Sequence, residues 1–168
     1  MVSPKERFSM LIRLSSQAVP KDIHHKLDSF FQDLKAVGIS YIGHGVVSNE
    51  GNHTGYFSNE EWGEFYVQNQ YFFAEPILEN YQQKQIDLIS WEKVEGKNAI
   101  AHARNACTKI VSGMTICKKD EDFNTFFNLG FDKDVNLAEF IFLKRDLLLA
   151  YFKIFNSCHL LWRKGKGY

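Results

Sequence analysis

Four residues near the middle of the chain have the types and the spacing that a small-molecule binding site requires. Trp62 and Tyr66 are four positions apart, so both rings can lie on one face of a helix. Glu75 and Pro76 follow inside an aromatic stretch, which places a carboxylate acceptor among apolar side chains. An apolar pocket with one charged hydrogen-bond acceptor is typical of sites for small, mostly apolar ligands that carry a polar head.

The sequence shows no pattern of catalytic or metal-binding residues. His102 and Cys107 are five positions apart on one predicted helix, which aligns them poorly as base and nucleophile. His24 and His25 are adjacent, so their side chains point apart and make a poor metal pair. No GxSxG, HExxH, P-loop or GxGxxG motif occurs. We therefore predict that the protein is not an enzyme and that it needs no metal or cofactor.

The composition predicts a single cytoplasmic domain over residues 1–168. The chain has 20 basic and 20 acidic residues, a formal net charge of zero and enough length to bury one core. A protein that grips nucleic acid usually carries a basic surplus, so this domain alone is not expected to bind DNA. The three cysteines have no pairing pattern, which indicates reduced thiols, and no apolar run approaches the ~20 residues of a membrane span.

The periodicity of apolar residues predicts the elements that position these side chains. Helices are expected at 4–14, 20–38, 58–66, 76–81, 98–109 and 136–161, and strands at 39–47, 54–57, 85–91, 110–117 and 123–129. Strands joined by tight turns pair antiparallel, so the predicted fold is an α-β-α sandwich with helices on both faces of an antiparallel sheet. Gly43 and Gly45 alternate along one strand face, which leaves room above the sheet for a ligand.

Each of these residues also has a purely structural interpretation. Trp62 and Tyr66 could be core aromatics of an amphipathic helix, since a buried aromatic ring needs no ligand. An acidic residue before proline, as at Glu75, is usually a surface turn. Gly113 indicates close packing in a strand rather than chemistry.

The spacing of these residues resembles that of a known family. The matching set is Trp62-x-x-x-Tyr66, Glu75-Pro76, Trp91 and Gly113. In type and spacing it is similar to the ligand-binding domain of LuxR-type quorum-sensing regulators, which bind acyl-homoserine lactones. The resemblance implies a five-stranded antiparallel sheet between two helical layers, with the ligand between the sheet and one layer.

The resemblance also implies a role for each side chain. The indole N–H of Trp62 would donate to the lactone carbonyl, and the carboxylate of Glu75 would accept from the ligand amide. Tyr66 and Trp91 would pack around the head group. The residues implied to line the acyl tail are Phe72, Phe73, Ile77 and Met114.

The sequence departs from the family pattern at three positions that touch recognition of the ligand. Glu75 stands where the family has aspartate, Ser58 where it usually has tyrosine, and Asn128 where it has serine or threonine. One extra methylene at Glu75 moves the carboxylate by more than an ångström, which a hydrogen bond tolerates poorly. The expected ligand is therefore an acyl-homoserine lactone, a variant of it, or none.

Two functions remain open at this point. The first is a sensory domain with a large apolar cavity, and the second is a ligandless dimerisation module that modulates a full-length regulator. The second predicts a filled core with Tyr71, Phe72 and Phe73 collapsed into the space. Either form is expected to be a homodimer through its long last helix. The family continues into a DNA-binding helix-turn-helix that this chain does not contain, so DNA would be a partner only through that domain.

Overall fold

A computed structural model describes residues 15–74, 86–94 and 98–165. The helices predicted at 4–14 and 76–81 lie outside the described residues, as do Glu75, Pro76 and Ile77. The elements are β1 (Ser16–Ala18), α1 (Lys21–Lys35), β2 (Tyr41–Ser48), β3 (His53–Phe57), α2 (Glu60–Gln68), a 3₁₀ turn (Tyr71–Ala74), β4 (Ile86–Ser90), α3 (Trp91–Val94), α4 (Ala99–Thr108), β5 (Ser112–Lys119), β6 (Phe123–Phe131) and α5 (Leu137–Gly165). The predicted fold class is confirmed: helices pack on both faces of one sheet.

The sheet has six strands in the order β1-β3-β2-β6-β5-β4, so the predicted count of five is wrong. Strands β2 to β6 pair antiparallel, as predicted. The additional strand, β1, is three residues long and pairs parallel to β3, with Ser16 opposite His53. Three residues are too few to show an alternating pattern, which is why the sequence did not reveal this edge strand.

Asparagine side chains begin three of the helices. The Asn59 side chain accepts a hydrogen bond from the backbone N–H of Trp62 at 2.8 Å and starts α2. Asn98 caps α4 in the same way, accepting from Ile100 at 2.8 Å. Asn136 accepts from the N–H of Glu139 at 3.1 Å, as its spacing predicts for the start of α5. Each cap satisfies a backbone donor that has no partner inside the helix.

The alternation of side chains along the strands divides the core into two layers. The α1/α5 face of the sheet carries a cluster that includes Phe127, Leu129 and Met114, packed against Leu27 of α1 and Phe155 of α5. The opposite α2/α4 face carries Tyr41, Cys117 and Phe126, packed against aromatic residues of α2 and α3. Neighbouring residues of one strand therefore belong to different layers, and only the second layer contains Trp62, Tyr66 and Trp91.

A chain of buried hydrogen bonds joins α5 to the sheet on the α1/α5 face. Arg163 Nη1 lies 2.9 Å from Thr54 Oγ1, which lies 2.7 Å from His159 Nε2. His159 Nδ1 lies 3.0 Å from His44 Nδ1, and His44 Nε2 lies 2.6 Å from Asn156 Oδ1. One assignment satisfies every contact: each group donates to the next, from the guanidinium to the amide oxygen, with both imidazoles neutral. A second proton on His44 would set two N–H groups against each other.

Burial keeps these histidines neutral. Removal from solvent lowers the pKa of His44 from 6.5 to about 4. Burial, together with the charge of Arg163 and the neighbouring His44, lowers the pKa of His53 to about 3. The pKa of His159 lies well below its ordinary value because it is buried beside His44, His53 and Arg163. The folded chain therefore binds fewer protons than the unfolded chain in mild acid.

We expect the free energy of unfolding to be nearly constant between about pH 7 and pH 8 and to fall as the pH is lowered from 6.5 toward 4. The unfolded chain protonates these histidines near pH 6.5 and the folded chain does not, so acid favours unfolding. Each buried histidine accounts for about 2 kcal/mol of the loss between pH 7 and pH 5. Urea titrations at about pH 7 and about pH 5 measure this loss of unfolding free energy. His25→Gln, at an exposed position, should leave the difference unchanged, whereas equal stability at both pH values would contradict neutral burial.

Candidate functional site

Helix α2 presents two aromatic rings to the α2/α4 face of the sheet. Trp62 is 1% exposed and Tyr66 6%, and their ring centroids lie 5.7 Å apart in an edge-to-face arrangement. The spacing of four residues places them on the same side of the helix, as predicted. Gly63 lies between them against the ring of Phe57, where a Cβ atom would approach to 2.9 Å. The glycine therefore lets α2 pack closely onto β3 and keeps both rings over the sheet.

A cavity of about 30 Å³ lies between these rings and the sheet. Four of the residues predicted for the ligand site line it: Trp62, Tyr66, Phe72 and Asn128. Gly43 and Gly45 line it too, so the space expected above this strand is present. The other lining residues, which the sequence analysis did not select as ligand contacts, are Tyr41, His44, His53, Tyr56, Phe57, Arg104 and Phe126.

The sheet floor of the cavity is fixed by a short hydrogen-bonded chain. The indole N–H of Trp91 donates to Thr115 Oγ1 at 2.8 Å, and the Thr115 hydroxyl donates to Asn128 Oδ1 at 2.6 Å. Thr115, Asn128 and Gly43 are paired across β5, β6 and β2. Because its oxygen faces Thr115, Asn128 directs its Nδ2 amide group toward Gly43 and the cavity. The predicted site residues Trp91 and Asn128 thus belong to one polar unit.

Gly113 provides the space that Trp91 occupies. A Cβ atom at Gly113 would overlap Cε3 of the Trp91 indole, so the glycine has the close-packing role that the sequence suggested. Trp91 is buried and lies at the start of α3, directly after β4. The absence of a side chain at Gly113 therefore allows the ring to reach Thr115.

Gly113→Ala should lower the free energy of unfolding by about 1–3 kcal/mol, because it overpacks a filled region. The indole must move, so its hydrogen bond to Thr115 should be lost and the Trp91 fluorescence should change. Chemical denaturation with fluorescence detection measures both effects. Gly165→Ala is the matched control, because a Cβ atom there meets nothing within 4 Å. Equal stabilities of the two variants would contradict the close contact.

Two further features determine which atoms the cavity offers to a ligand. Trp62 lines the cavity, and its indole N–H donates to no residue in the part of the chain that the structure describes. Arg104 on α4 is 3% exposed, and its guanidinium carbon lies 4.3 Å from the centroid of the Trp91 ring, a cation–π contact. Both groups are hydrogen-bond donors, and so is the Asn128 amide group.

Arg104 is the one charged residue among the lining residues that the sequence analysis missed. It follows Ile100 by four positions on the buried face of α4, in a helix that otherwise contains small residues on that side. A lone arginine in register with a buried isoleucine was the available signal. It was overlooked because charged residues are rarely fully buried.

Phe72 lines the cavity and packs against His53 of β3. Its ring stacks on His53 with the centroids 4.3 Å apart and the planes 8° from parallel. The neighbouring Tyr71 packs 6.0 Å from Trp62 and 6.1 Å from Tyr66. Phe73, predicted to line the acyl tail, is instead 45% exposed and does not line the cavity. The 3₁₀ turn explains this difference, because consecutive residues of a tight turn point in different directions.

The structure also places two other predicted residues away from the cavity. Met114 is fully buried on the α1/α5 face, so the tail-lining role expected for it is corrected: side chains alternate along β5, and its neighbours Gly113 and Thr115 face the site. Ser58 accepts a hydrogen bond from the N–H of Ile42 at 2.9 Å, and its own N–H donates to the Ile42 carbonyl at 2.8 Å. Ser58 therefore ties the end of β3 to β2.

Among the described residues, two cysteines have thiols of low reactivity, and no group of side chains is placed to bind a metal ion. Burial raises the pKa of the Cys117 thiol to about 12, and burial and the nearby Glu61 raise that of Cys107. A thiol with a raised pKa is a poor nucleophile. Within residues 15–74, 86–94 and 98–165, no three histidine, cysteine or acidic side chains are placed to hold a metal ion. None of the helices in those ranges is long and apolar enough to span a bilayer.

Several solved structures share this fold, although no protein-family profile and no curated protein matches the chain. The N-acylhomoserine lactone dependent LuxR family transcription factor CepR2 of Burkholderia cenocepacia is 18% identical with a TM-score of 0.57, covering 82% of this chain and 90% of that one. SdiA of Escherichia coli is 16% identical with a TM-score of 0.57, covering 89% of this chain and 65% of that one. The VqsR LBD domain of Pseudomonas aeruginosa is 12% identical with a TM-score of 0.55, covering 82% and 93%.

Proposed function

Since this chain has the fold of the LuxR-type autoinducer-binding domains, we propose that it is a sensory domain for a small amphiphilic signal. The proposed ligand is an acyl-homoserine lactone or a variant of it, held between the sheet and the α2/α4 layer. One observation carries this proposal: Trp62, Asn128 and Arg104, whose side chains all carry hydrogen-bond donors, line one cavity. SdiA, which shares the fold, has been solved in complex with octanoyl-rac-glycerol, an amphiphile of similar size.

We propose that the head group of the ligand binds at the end of the cavity that is lined by Trp62, Asn128 and Arg104. Trp62 would donate to a ligand carbonyl, and Tyr66 and Trp91 would enclose the ring of the head group. Glu75, with Pro76 beside it, is proposed to accept the ligand N–H, and Ile77 to contact the tail. A buried polar site of this kind discriminates strongly between ligands. Each protein donor that a ligand leaves without an acceptor costs about 1–3 kcal/mol of binding free energy.

The space inside the cavity is small. A volume of about 30 Å³ holds one or two water molecules and not an acyl chain. Phe72 is the side chain that would have to move, because it lines the cavity and stacks on His53. A ligand that replaces the ring would complete the core in its place and favour an open form of this layer over the closed one.

The same packing favours a second candidate, the ligandless dimerisation module. Phe72 and Tyr71 lie against the site as that function requires, whereas the exposed Phe73 does not. Helix α5 carries large apolar side chains in solvent, among them Phe142, Leu143 and Leu161. We propose that this surface forms a homodimer in either case. We also propose that this homodimer acts in the cytoplasm and that any binding of DNA would require a separate DNA-binding domain.

Thermal unfolding with a panel of acyl-homoserine lactones tests the two functions. A binding ligand raises the melting temperature in proportion to its occupancy of the folded state, so a sensory domain should show a rise that saturates with concentration. Trp62→Phe removes the indole donor and should abolish most of the rise. Trp162→Phe, on the α1/α5 face, is the matched control and should retain it. The ligandless function predicts no rise with any lactone, and equal responses of the two variants would contradict the site.

A further inference from the structure

One aromatic contact of the cavity has the geometry of a stacked pair. The rings of His53 and Phe72 have their centroids 4.3 Å apart and their planes 8° from parallel, and both residues line the cavity. The rings of Trp62 and Tyr66 in the same layer, by contrast, meet edge to face at 67°. The α2/α4 layer therefore contains a place where two flat rings lie face to face.

The His53 half of this pair is held in place by the sheet. Ser16 Oγ lies 2.9 Å from His53 Nδ1, so the edge strand β1 fixes the direction of the imidazole. The imidazole also lies against Gly45 and Gly55, which are paired across β2 and β3. A Cβ atom would approach Nε2 to 3.0 Å at Gly45 and Cε1 to 2.9 Å at Gly55, so the two glycines provide the space that the ring occupies. We call His53 with these two glycines the stacking site.

Phe72 is the other half of the pair, and it belongs to the 3₁₀ turn Tyr71–Ala74 rather than to the sheet. In the proposed function a ligand replaces the Phe72 ring, which uncovers one face of the imidazole. Burial, with the charge of Arg163 and the nearby His44, lowers the pKa of His53 to about 3, so this face belongs to a neutral ring and requires no anionic group. An aromatic ring of the ligand would restore a stacked contact that is favourable beyond the area it buries, whereas an alkyl chain would not.

We infer that this site takes a signal whose acyl group ends in an aromatic ring, and that the ring stacks on His53 in place of Phe72. The inference rests on the proposed function and narrows its ligand class. Asn128, at the head-group end, is paired with Gly43 of β2. Gly45 of the stacking site lies two residues further along that strand, a distance of about 7 Å. A short spacer of about two carbon atoms therefore joins the ring to a carbonyl group near Asn128, as in an arylacyl-homoserine lactone.

Three lactones with nine acyl carbons each test the inference by calorimetry on the whole chain at pH 6.5. They are N-(3-phenylpropanoyl)-, N-(3-cyclohexylpropanoyl)- and N-nonanoyl-homoserine lactone, so the first two differ only in whether the ring is flat and aromatic. We expect the phenyl compound to bind about 2- to 10-fold more tightly than either of the others, the range of a stacked aromatic pair. His53→Leu should abolish this preference, and the matched variant His53→Phe, which keeps a ring at the position, should retain it.

Each outcome decides a separate point. If the cyclohexyl or the nonanoyl lactone binds as tightly as the phenyl compound, the aromatic ring is not recognised and the inference fails, while the proposed sensory function stands. If the preference persists in His53→Leu, the ring stacks elsewhere and the assignment of His53 fails. If none of the three lactones binds, the inference and the proposed function fail together.

A second measurement locates the ring in the unsubstituted chain, so the test holds even if His53→Leu does not fold. In the complex with the phenyl compound we expect nuclear Overhauser contacts between the phenyl protons and the imidazole protons of His53. A complex in which the phenyl protons show contacts only to other residues would overturn the stacking.

Discussion

Phe155→Ala should lower the free energy of unfolding by about 3–5 kcal/mol, the usual cost of emptying a buried aromatic site. Phe155 on α5 is fully buried. Its ring centroid lies 5.2 Å from that of Phe127, 5.6 Å from that of Tyr56 and 5.8 Å from that of His44. Because these three residues come from β6, β3 and β2, one ring holds the last helix to three neighbouring strands.

Phe142→Ala is the matched control for this effect. Phe142 lies on the same helix but is 84% exposed, so its replacement should change stability by no more than about 0.5 kcal/mol in the monomer. Urea unfolding at pH 7 compares both variants with the parent chain. A cost below about 1 kcal/mol for Phe155→Ala would show that α5 is not held to the sheet by this contact.

Phe72→Ala should have two opposite effects, and together they distinguish the two candidate functions. Without ligand the variant should be less stable by about 1.5–3 kcal/mol, the value of burying a phenylalanine side chain. A ligand no longer has to expel the ring, so its affinity should rise about 10- to 100-fold, since 1.4 kcal/mol corresponds to a factor of ten. Thermal unfolding without ligand and calorimetry with the best lactone measure the two effects.

Phe73→Ala provides the comparison for Phe72→Ala. The two residues are adjacent in the 3₁₀ turn, but Phe73 is 45% exposed and does not line the cavity. Its replacement should change neither stability nor affinity strongly. If Phe72→Ala only destabilises the chain and no ligand binds more tightly, the ring belongs to a permanently filled core and the ligandless module is the better account.

Local signals were sufficient to predict most of the fold. The Asn136 and Glu139 spacing marks the start of α5, and Gly43 and Gly45 mark the strand that lies under the cavity. These features are encoded within a few residues, so they can be recognised in the sequence alone. The edge strand at Ser16–Ala18 could not be predicted in this way, because three residues are too few to show an alternating pattern.

The candidate site was predicted less completely than the fold. Periodicity places Trp62 and Tyr66 on one helix face, but it does not say which face of a strand meets that helix. Met114 was therefore assigned to the wrong layer, and Tyr41 and Arg104 were overlooked, although both line the cavity. Which residues face each other across layers depends on strand register, and that is set by the packing of the whole sheet.

The buried chain from Arg163 to Asn156 shows the same limit. His44 and His159 are 115 residues apart, and neither has a neighbour in the sequence that suggests a hydrogen-bonded pair. Their contact exists only because α5 lies along the β2 strand. Long-range polar pairs of this kind require the fold to be known first.

The binding of a ligand beneath the Trp62 indole is tested most directly by the three tryptophan side-chain N–H resonances. The chain contains Trp62, Trp91 and Trp162, so a ¹H–¹⁵N spectrum of the labelled protein has three indole signals, each assigned by a Trp→Phe variant. When N-octanoyl-homoserine lactone is added, we predict the largest displacement for Trp62, a smaller one for Trp91 and none for Trp162 on the opposite face of the sheet. A titration that leaves the Trp62 signal in place, or that moves Trp162 most, would contradict the account.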